Sequence, residues 1–324
     1  LAVKIVRQAN KIALLGAPSS AAAFSAGSEK APAALRAAGL IERLQSIGYE
    51  VNDLGDSATR LFADDDEHKR ARNLPEIVAS LNDLKPRAEI AVKSGGLVLV
   101  LGGDCTQVIG LLTGARRYYR HLNLLWLDGD ADLNTPASTP SGRLDGMALS
   151  TIIGKGSPEL VRFWGEPQIV REPDTVLFGV ARLDPPEEEF LKKSPVRHNL
   201  ATEIRAKGVG KSAQHALEQL HADSREFVLH LDIDIVAQEE FPAVNVPASG
   251  GLSFAEVQSA LTEFVKQKNL VGLDVSQYNP DKDPEGAGAK KLIELLATAL
   301  SARLTALTAP AAPAAEETSS SAAS

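Results

Sequence analysis

A chain of 324 residues with 44% hydrophobic and 23% charged residues has ordinary globular composition and can bury a large core. Its net charge of −8 argues against nucleic acid or an anionic membrane surface as a partner, and no run approaches the roughly 18 apolar residues of a membrane span. The single cysteine, Cys105, excludes an intrachain disulfide, and with a charged N-terminal segment that lacks a signal-peptide core it points to the cytoplasm.

In chain order, the apolar patterning predicts a strand at Lys11–Leu15, a helix at Ala31–Ile47, a strand at Glu50–Leu54 and a helix at Leu74–Lys93. Strands follow at Leu97–Leu101, Leu122–Leu127 and Thr175–Gly179, then a helix at Lys211–His221. A strand at Phe227–Asp234, a helix at Phe254–Lys268, a strand at Leu270–Val275 and a helix at Lys290–Leu304 complete the series. Most strands are continuous apolar runs without alternation, as in strands covered on both faces. Alternating strands and helices predict a three-layer α/β/α fold with a central, mostly parallel sheet. Residues 1–308 read as one domain. The Ala, Pro, Glu, Thr and Ser stretch 309–324 reads as a disordered tail, and Ala63–Ala71, acidic then basic, as a solvated loop.

The segment Leu124–Asp132 is an apolar strand that empties into Asp128, Asp130 and Asp132. In an extended chain these alternate positions face one side. Three carboxylates held together repel, and a divalent cation is the usual remedy. Turn and cap chemistry accounts for one or two aspartates alone. However, the second run, Phe227 to Asp234, also ends in alternating Asp232 and Asp234. In a parallel sheet, right-handed crossovers gather the C-terminal strand ends at one edge, where ligands bind. Both Asp clusters, Gly102-Gly103-Asp104-Cys105 and Asp274 are therefore expected at one rim.

These motifs resemble the ureohydrolases: arginase, agmatinase, formiminoglutamase and relatives. The resemblance covers Ile12 to about Leu304. It runs through Leu15–Pro18, Leu101–Cys105, Asp128–Pro136, Ser141–Met147, Asp232–Asp234, Pro247–Leu252 and Gly272–Pro280. It implies an arginase-like fold, two manganese ions that activate a water for attack on a guanidinium or amidine-like carbon, and a homo-oligomer acting on a small molecule. The metal-ligand positions fall on Cys105, Asp128, Asp130, Asp132, Asp232 and Asp234. Cys105 and Asp130 stand where the family has histidine. Asp145 replaces the proton-relay histidine, Gln277 the guanidinium-binding glutamate, and Val246 a threonine. Asn134, Ser141 and Asp184 match positions that hold an amino-acid head group, so the ligand is expected to be amino-acid-like.

The departures carry physical consequences. Five carboxylates and a thiolate are two units more negative than the usual ligand set. That excess weakens the Lewis acidity of the metals, unless a proton is retained or only one ion binds. A thiolate shifts preference from manganese towards zinc or iron, but Cys105 is otherwise an inert buried thiol. Asp130 is shorter than histidine and either falls short of an ion or draws the backbone in. His230 precedes Asp232 by two residues, about 6.5 Å along a strand. That spacing favours an outer partner of a ligating carboxylate, or core packing, over direct ligation. Gln277 lacks the charge that pairs with guanidinium, so neutral ureido or amide groups suit the site better than arginine. The sequence thus predicts a metal-dependent hydrolase of a linear C–N bond that is not a standard arginase. The competing reading is a non-catalytic protein on the same scaffold.

Overall fold

The computed structural model describes residues 5–247 and 249–309. Eight strands form one sheet: β1 Lys11–Ala17, β2 Glu50–Asp56, β3 Leu97–Gly102, β4 Asn123–Leu127, β5 Thr175–Val180, β6 Arg197–Leu200, β7 Phe227–Asp232 and β8 Leu270–Ser276. Their order is β2-β1-β3-β8-β7-β4-β5-β6, and every neighbouring pair is parallel. The mostly parallel sheet expected from the sequence is therefore wholly parallel. Side chains alternate between two cores, which explains why the strands read as unbroken apolar runs. Leu99, Leu125, Leu127 and Leu231 enter one core, and Val98, Val100, Leu124 and Trp126 the other.

The first core is covered by helices Ala31–Ala37, Leu40–Ser46, Ala201–Lys207, Val209–Leu220, Phe254–Val265 and Ala287–Thr308. Helices Leu74–Lys93, Val108–Arg116 and Ala148–Ile152 cover the second. Three departures from the sequence expectations have local causes. The helix predicted over Ala31–Ile47 breaks at Gly39, whose φ of 92° is left-handed. The edge strand Arg197–Leu200 carries Arg, His and Asn and only one buried residue, so no apolar run marks it. The helix Val108–Arg116 is buried along nearly its whole length, which erases the one-sided periodicity that marks a surface helix.

Residues 310–324 of the tail expected to lie outside the fold fall outside the described residues. No described helix is long and apolar enough to cross a membrane.

Candidate metal centre and substrate cleft

The C-terminal ends of β3, β4, β5, β7 and β8 converge on a cleft of about 280 Å³. Cys105, Asp128, Asp130, Asp132, Asp232 and Asp234 all line it, together with Asn134, Ser141, Asp145, Asp184 and Gln277. Every position expected to serve metal or substrate therefore meets at one edge, except His230, which lies beneath it. Asp104 and Asp274 do not join the rim. Asp104 turns away to accept from Ser19 Oγ at 2.6 Å and Ala22 N at 3.2 Å. Asp274 is fully buried within β8 and bonds His230.

The aspartates converge by a different route from strand alternation. β4 stops at Leu127, and Asp128–Asp132 is a loop in which Asp132 has a left-handed φ of 52°. Asp128 starts the loop by accepting from Asp130 N at 2.7 Å. β7 likewise stops at Asp232, two residues earlier than predicted, and a short 3-10 helix over Ile233–Ile235 carries Asp234. Asp232 caps that turn by accepting from Asp234 N at 2.7 Å. Both motifs thus use turn chemistry to aim carboxylates, where the sequence reading had set the two explanations against each other.

The loop that carries Cys105 is held by glycine. A Cβ on Gly103 would lie 1.7 Å from the Ser19 carbonyl oxygen. Only a residue without a side chain lets the chain leave β3 so close to the first loop. Cys105 Sγ donates to Asp232 Oδ2 at 3.1 Å, and its backbone N–H donates to Asp145 Oδ1 at 2.8 Å. Gln277, at a left-handed φ of 68°, donates from Nε2 to Asp145 Oδ2 at 2.7 Å and lies 3.4 Å from Cys105 Sγ. Its Oε1 is buried without a partner.

Asn134 donates to Asp184 Oδ2 at 2.8 Å, and Asp184 is also the N-cap of helix Pro185–Leu191, in a reciprocal box with Glu187. Ser141 accepts from Arg143 N at 3.1 Å. The three proposed head-group residues thus hold local structure while facing the cleft.

Electrostatics explain the tension in this site. Burial, then repulsion among neighbouring aspartates, pushes the carboxyls of Asp128, Asp132 and Asp232 well above the usual range. Burial, then Asp145 and Asp232, pushes the Cys105 thiol up as well. Burial and Asp104 lift Asp145 to about 7. Such a cluster needs positive charge.

Part of that charge comes from Arg182, which the sequence analysis does not single out. Its Nε donates to Asp130 Oδ1 at 2.8 Å and Nη2 to Asp130 Oδ2 at 2.5 Å, while Nη2 reaches Asp234 Oδ2 at 3.4 Å. Nη1 and Nη2 also donate to the carbonyls of Pro247 and Val246. The two-charge excess inferred from the ligand set is therefore met in part by a guanidinium, a remedy beside the retained proton and the missing ion. An arginine two residues beyond an apolar strand that ends at the same rim was the available signal.

His230 follows the core-packing alternative rather than the outer-partner one. It makes no hydrogen bond to a rim carboxylate. Its Nδ1 lies 2.8 Å from Asp274 Oδ2, and its ring stacks on Trp126 at 3.8 Å between centroids. Trp126 Nε1 in turn donates to Asp128 Oδ2 at 2.9 Å. His230 Nε2 is buried without a partner, as is Asp132 Oδ2.

Two groups of donors are close enough to share an ion. Cys105, Asp128, His230 and Asp232 each bring one donor atom within 4.8 Å of the others. Asp128, Asp130 and Asp234 do the same, but Arg182 engages both oxygens of Asp130. The first group fits a divalent ion, since an imidazole, a thiol and two carboxyl groups offer it nitrogen, sulfur and oxygen donors close together. The second is already served by a cation.

Comparison with known proteins agrees with this architecture. The Arginase family profile matches residues 10–302. The arginase of Bacillus caldovelox is 29% identical over 297 residues, 90% of this chain and 99% of that protein. The arginase of Bacillus subtilis strain 168 is 31% identical over 294 residues, 90% of this chain and 98% of the relative. The crystal structure of Bacillus subtilis arginase superposes with a TM-score of 0.81 at 30% identity, covering 90% of this chain and 98% of that one. A family profile that spans residues 10–302, with relatives of 30–31% identity over nine-tenths of the chain, places the chain in the arginase family.

Proposed function

We propose that the protein is a metal-dependent hydrolase of a linear C–N bond in a small, amino-acid-like substrate whose scissile group is neutral or weakly basic. One observation carries this reading: the 2.7 Å contact between Gln277 and Asp145 at the floor of a cleft that also exposes a group of donors suited to a divalent ion. When bound, the ion supplies Lewis acidity and activates water.

The protein's own groups supply the rest. Gln277 spends its amide N–H on Asp145 and leaves Oε1 free to accept one N–H of the scissile group. A neutral acceptor lacks the charge-assisted grip that a carboxylate has on guanidinium, which disfavours arginine and agmatine. Asp145, lifted to about 7, is poised to pass a proton to the departing nitrogen. Asn134 and Asp184, hydrogen-bonded to each other at the cleft wall, present an amide and a carboxylate to an amino-acid head group.

The test, run on a panel of compounds, measures urea released from arginine and agmatine, and ammonia released from ureido and amide analogues, by purified, metal-loaded protein. Turnover of a ureido or amide compound above arginine, abolished by chelator, is the expected result. No turnover of any panel member by protein with metal bound would favour the non-catalytic reading.

A further inference from the structure

We propose that this chain holds a single zinc-class ion in a Cys105–Asp128–His230–Asp232 tetrad, and that the Arg182 guanidinium stands in the place of a second ion. The inference deepens the metal-dependent reading above and rests on it.

The argument begins with His230. Its side chain is 0% exposed, and Nε2 has no hydrogen-bond partner. An orphaned buried polar atom is costly, and native interiors rarely leave one without a ligand, ion or water. The ring cannot swing to find another partner. Asp274 Oδ2, also 0% exposed, lies 2.8 Å from Nδ1, and Trp126 stacks on the imidazole face at an interplanar angle of 27°. A proton held on Nδ1 by a carboxylate leaves a lone pair on Nε2. This carboxylate–imidazole arrangement is the one that orients metal-ligating histidines.

Three other donors lie close to this ring. Cys105 Sγ, one carboxylate oxygen each of Asp128 and Asp232, and a His230 ring nitrogen lie within 4.8 Å of one another. Donors around a tetrahedral zinc ion stand about 3.3–3.8 Å apart, given bonds of about 2.0–2.3 Å. The tetrad therefore closes on an ion with a small contraction. Cys105 Sγ and Asp232 Oδ2, hydrogen-bonded at 3.1 Å, stand slightly closer than that and part a little once an ion replaces the shared proton. Thiolate and imidazole beside two carboxylates favour zinc, cobalt or iron over manganese. Trp126 Nε1 satisfies the outer oxygen of Asp128 at 2.9 Å and so fixes that ligand as well.

The second position is filled differently. Arg182 forks onto both oxygens of Asp130 and reaches Asp234, while the Val246 and Pro247 carbonyls anchor it. A guanidinium is charged at every accessible pH, so it offers neutralisation without coordination.

The decisive experiment titrates chelator-stripped, full-length protein with cobalt and with zinc, reading stoichiometry by elemental analysis and the cobalt spectrum by absorbance. One equivalent per chain is expected, with a near-ultraviolet thiolate-to-cobalt band and the visible bands of four-coordinate cobalt. Cys105→Ser should remove the thiolate band. His230→Ser should weaken zinc at least tenfold. Arg182→Met should raise manganese capacity from one equivalent to two. Two equivalents in the unaltered protein, no binding, or cobalt without a thiolate band would each overturn the proposal, and these readings need no variant to fold. The outcomes separate the two readings. Two ions with turnover defeats this proposal alone. One ion in the tetrad without turnover of any C–N substrate defeats the hydrolase alone.

Discussion

Replacing Arg182 by Met keeps most of the aliphatic stem and removes the guanidinium, so its effect on stability isolates the charge. The lost contacts are the paired bonds to Asp130 at 2.8 and 2.5 Å and the longer one to Asp234 at 3.4 Å. Unit charges at this range attract by about 4 kcal/mol at an effective dielectric near 20. Arg182 and Asp130 are 30% and 34% exposed, which places the pair between surface and buried limits. Breaking a surface pair costs up to about 1 kcal/mol and a buried one about 3–5 kcal/mol, so about 2 kcal/mol is expected in alkaline solution.

The sign with pH follows from the aspartates. With Arg182 in place, burial and Asp130 already lift Asp234 to about 7, and Arg182 opposes that rise. Burial also raises Asp130, against the same opposition. Without the arginine both carboxyls move further up. A raised carboxyl contributes stability in full below its unfolded value, and that contribution is lost as pH rises through its folded value. The penalty should therefore be smaller near about pH 5, where Asp234 holds a proton, and larger near about pH 8, above its folded value of about 7. Urea unfolding of chelator-treated wild type and Arg182→Met at these two pH values measures it. An equal penalty at both would assign the loss to the carbonyl bonds with Val246 and Pro247. No penalty at either would refute the role of Arg182 as the counter-ion of the rim.

Other predictions concern the frame and the chemistry. Gly103→Ala drives a methyl into the Ser19 carbonyl at 1.7 Å and should destabilise the fold by about 3 kcal/mol or more, read by thermal unfolding. Trp126→Phe keeps an aromatic face against His230 and removes the Nε1 donor from Asp128. It should cost about 1–2 kcal/mol in urea and weaken zinc in competition with a chromophoric chelator. Asp145→Asn should lower turnover of the best panel substrate by about a hundredfold or more, with zinc stoichiometry unchanged. The variant carrying Cys105→His, Asp130→His, Asp145→His and Gln277→Glu should still bind less than two manganese equivalents until Arg182→Met is added. Two equivalents in the fourfold variant would mean that Arg182 does not guard the second position.

Much of this protein follows from the order of its residues. Continuous apolar runs such as Leu97–Leu101 and Leu122–Leu127 mark strands covered on both faces, and their alternation with helices dictates a parallel sheet. From that sheet alone, Cys105 and the aspartates at 128, 130, 132, 232 and 234 are expected at one edge and meet there, whereas Asp274, expected with them, is buried within β8. Local chemistry was harder to read. Capping turns aim Asp132 and Asp234, and a turn sends side chains where an alternating strand does not.

Only the tertiary structure decides what balances the charge. β4 lies between β7 and β5, so the loop after β5 brings Arg182 across the rim onto Asp130, fifty-two positions away in sequence. The same stacking sets β8 beside β7, which presses Asp274 against His230 Nδ1 and leaves Nε2 without a partner. Strand order is a property of the packed sheet, and the partners it creates are separated too widely along the chain for any local pattern to reveal them.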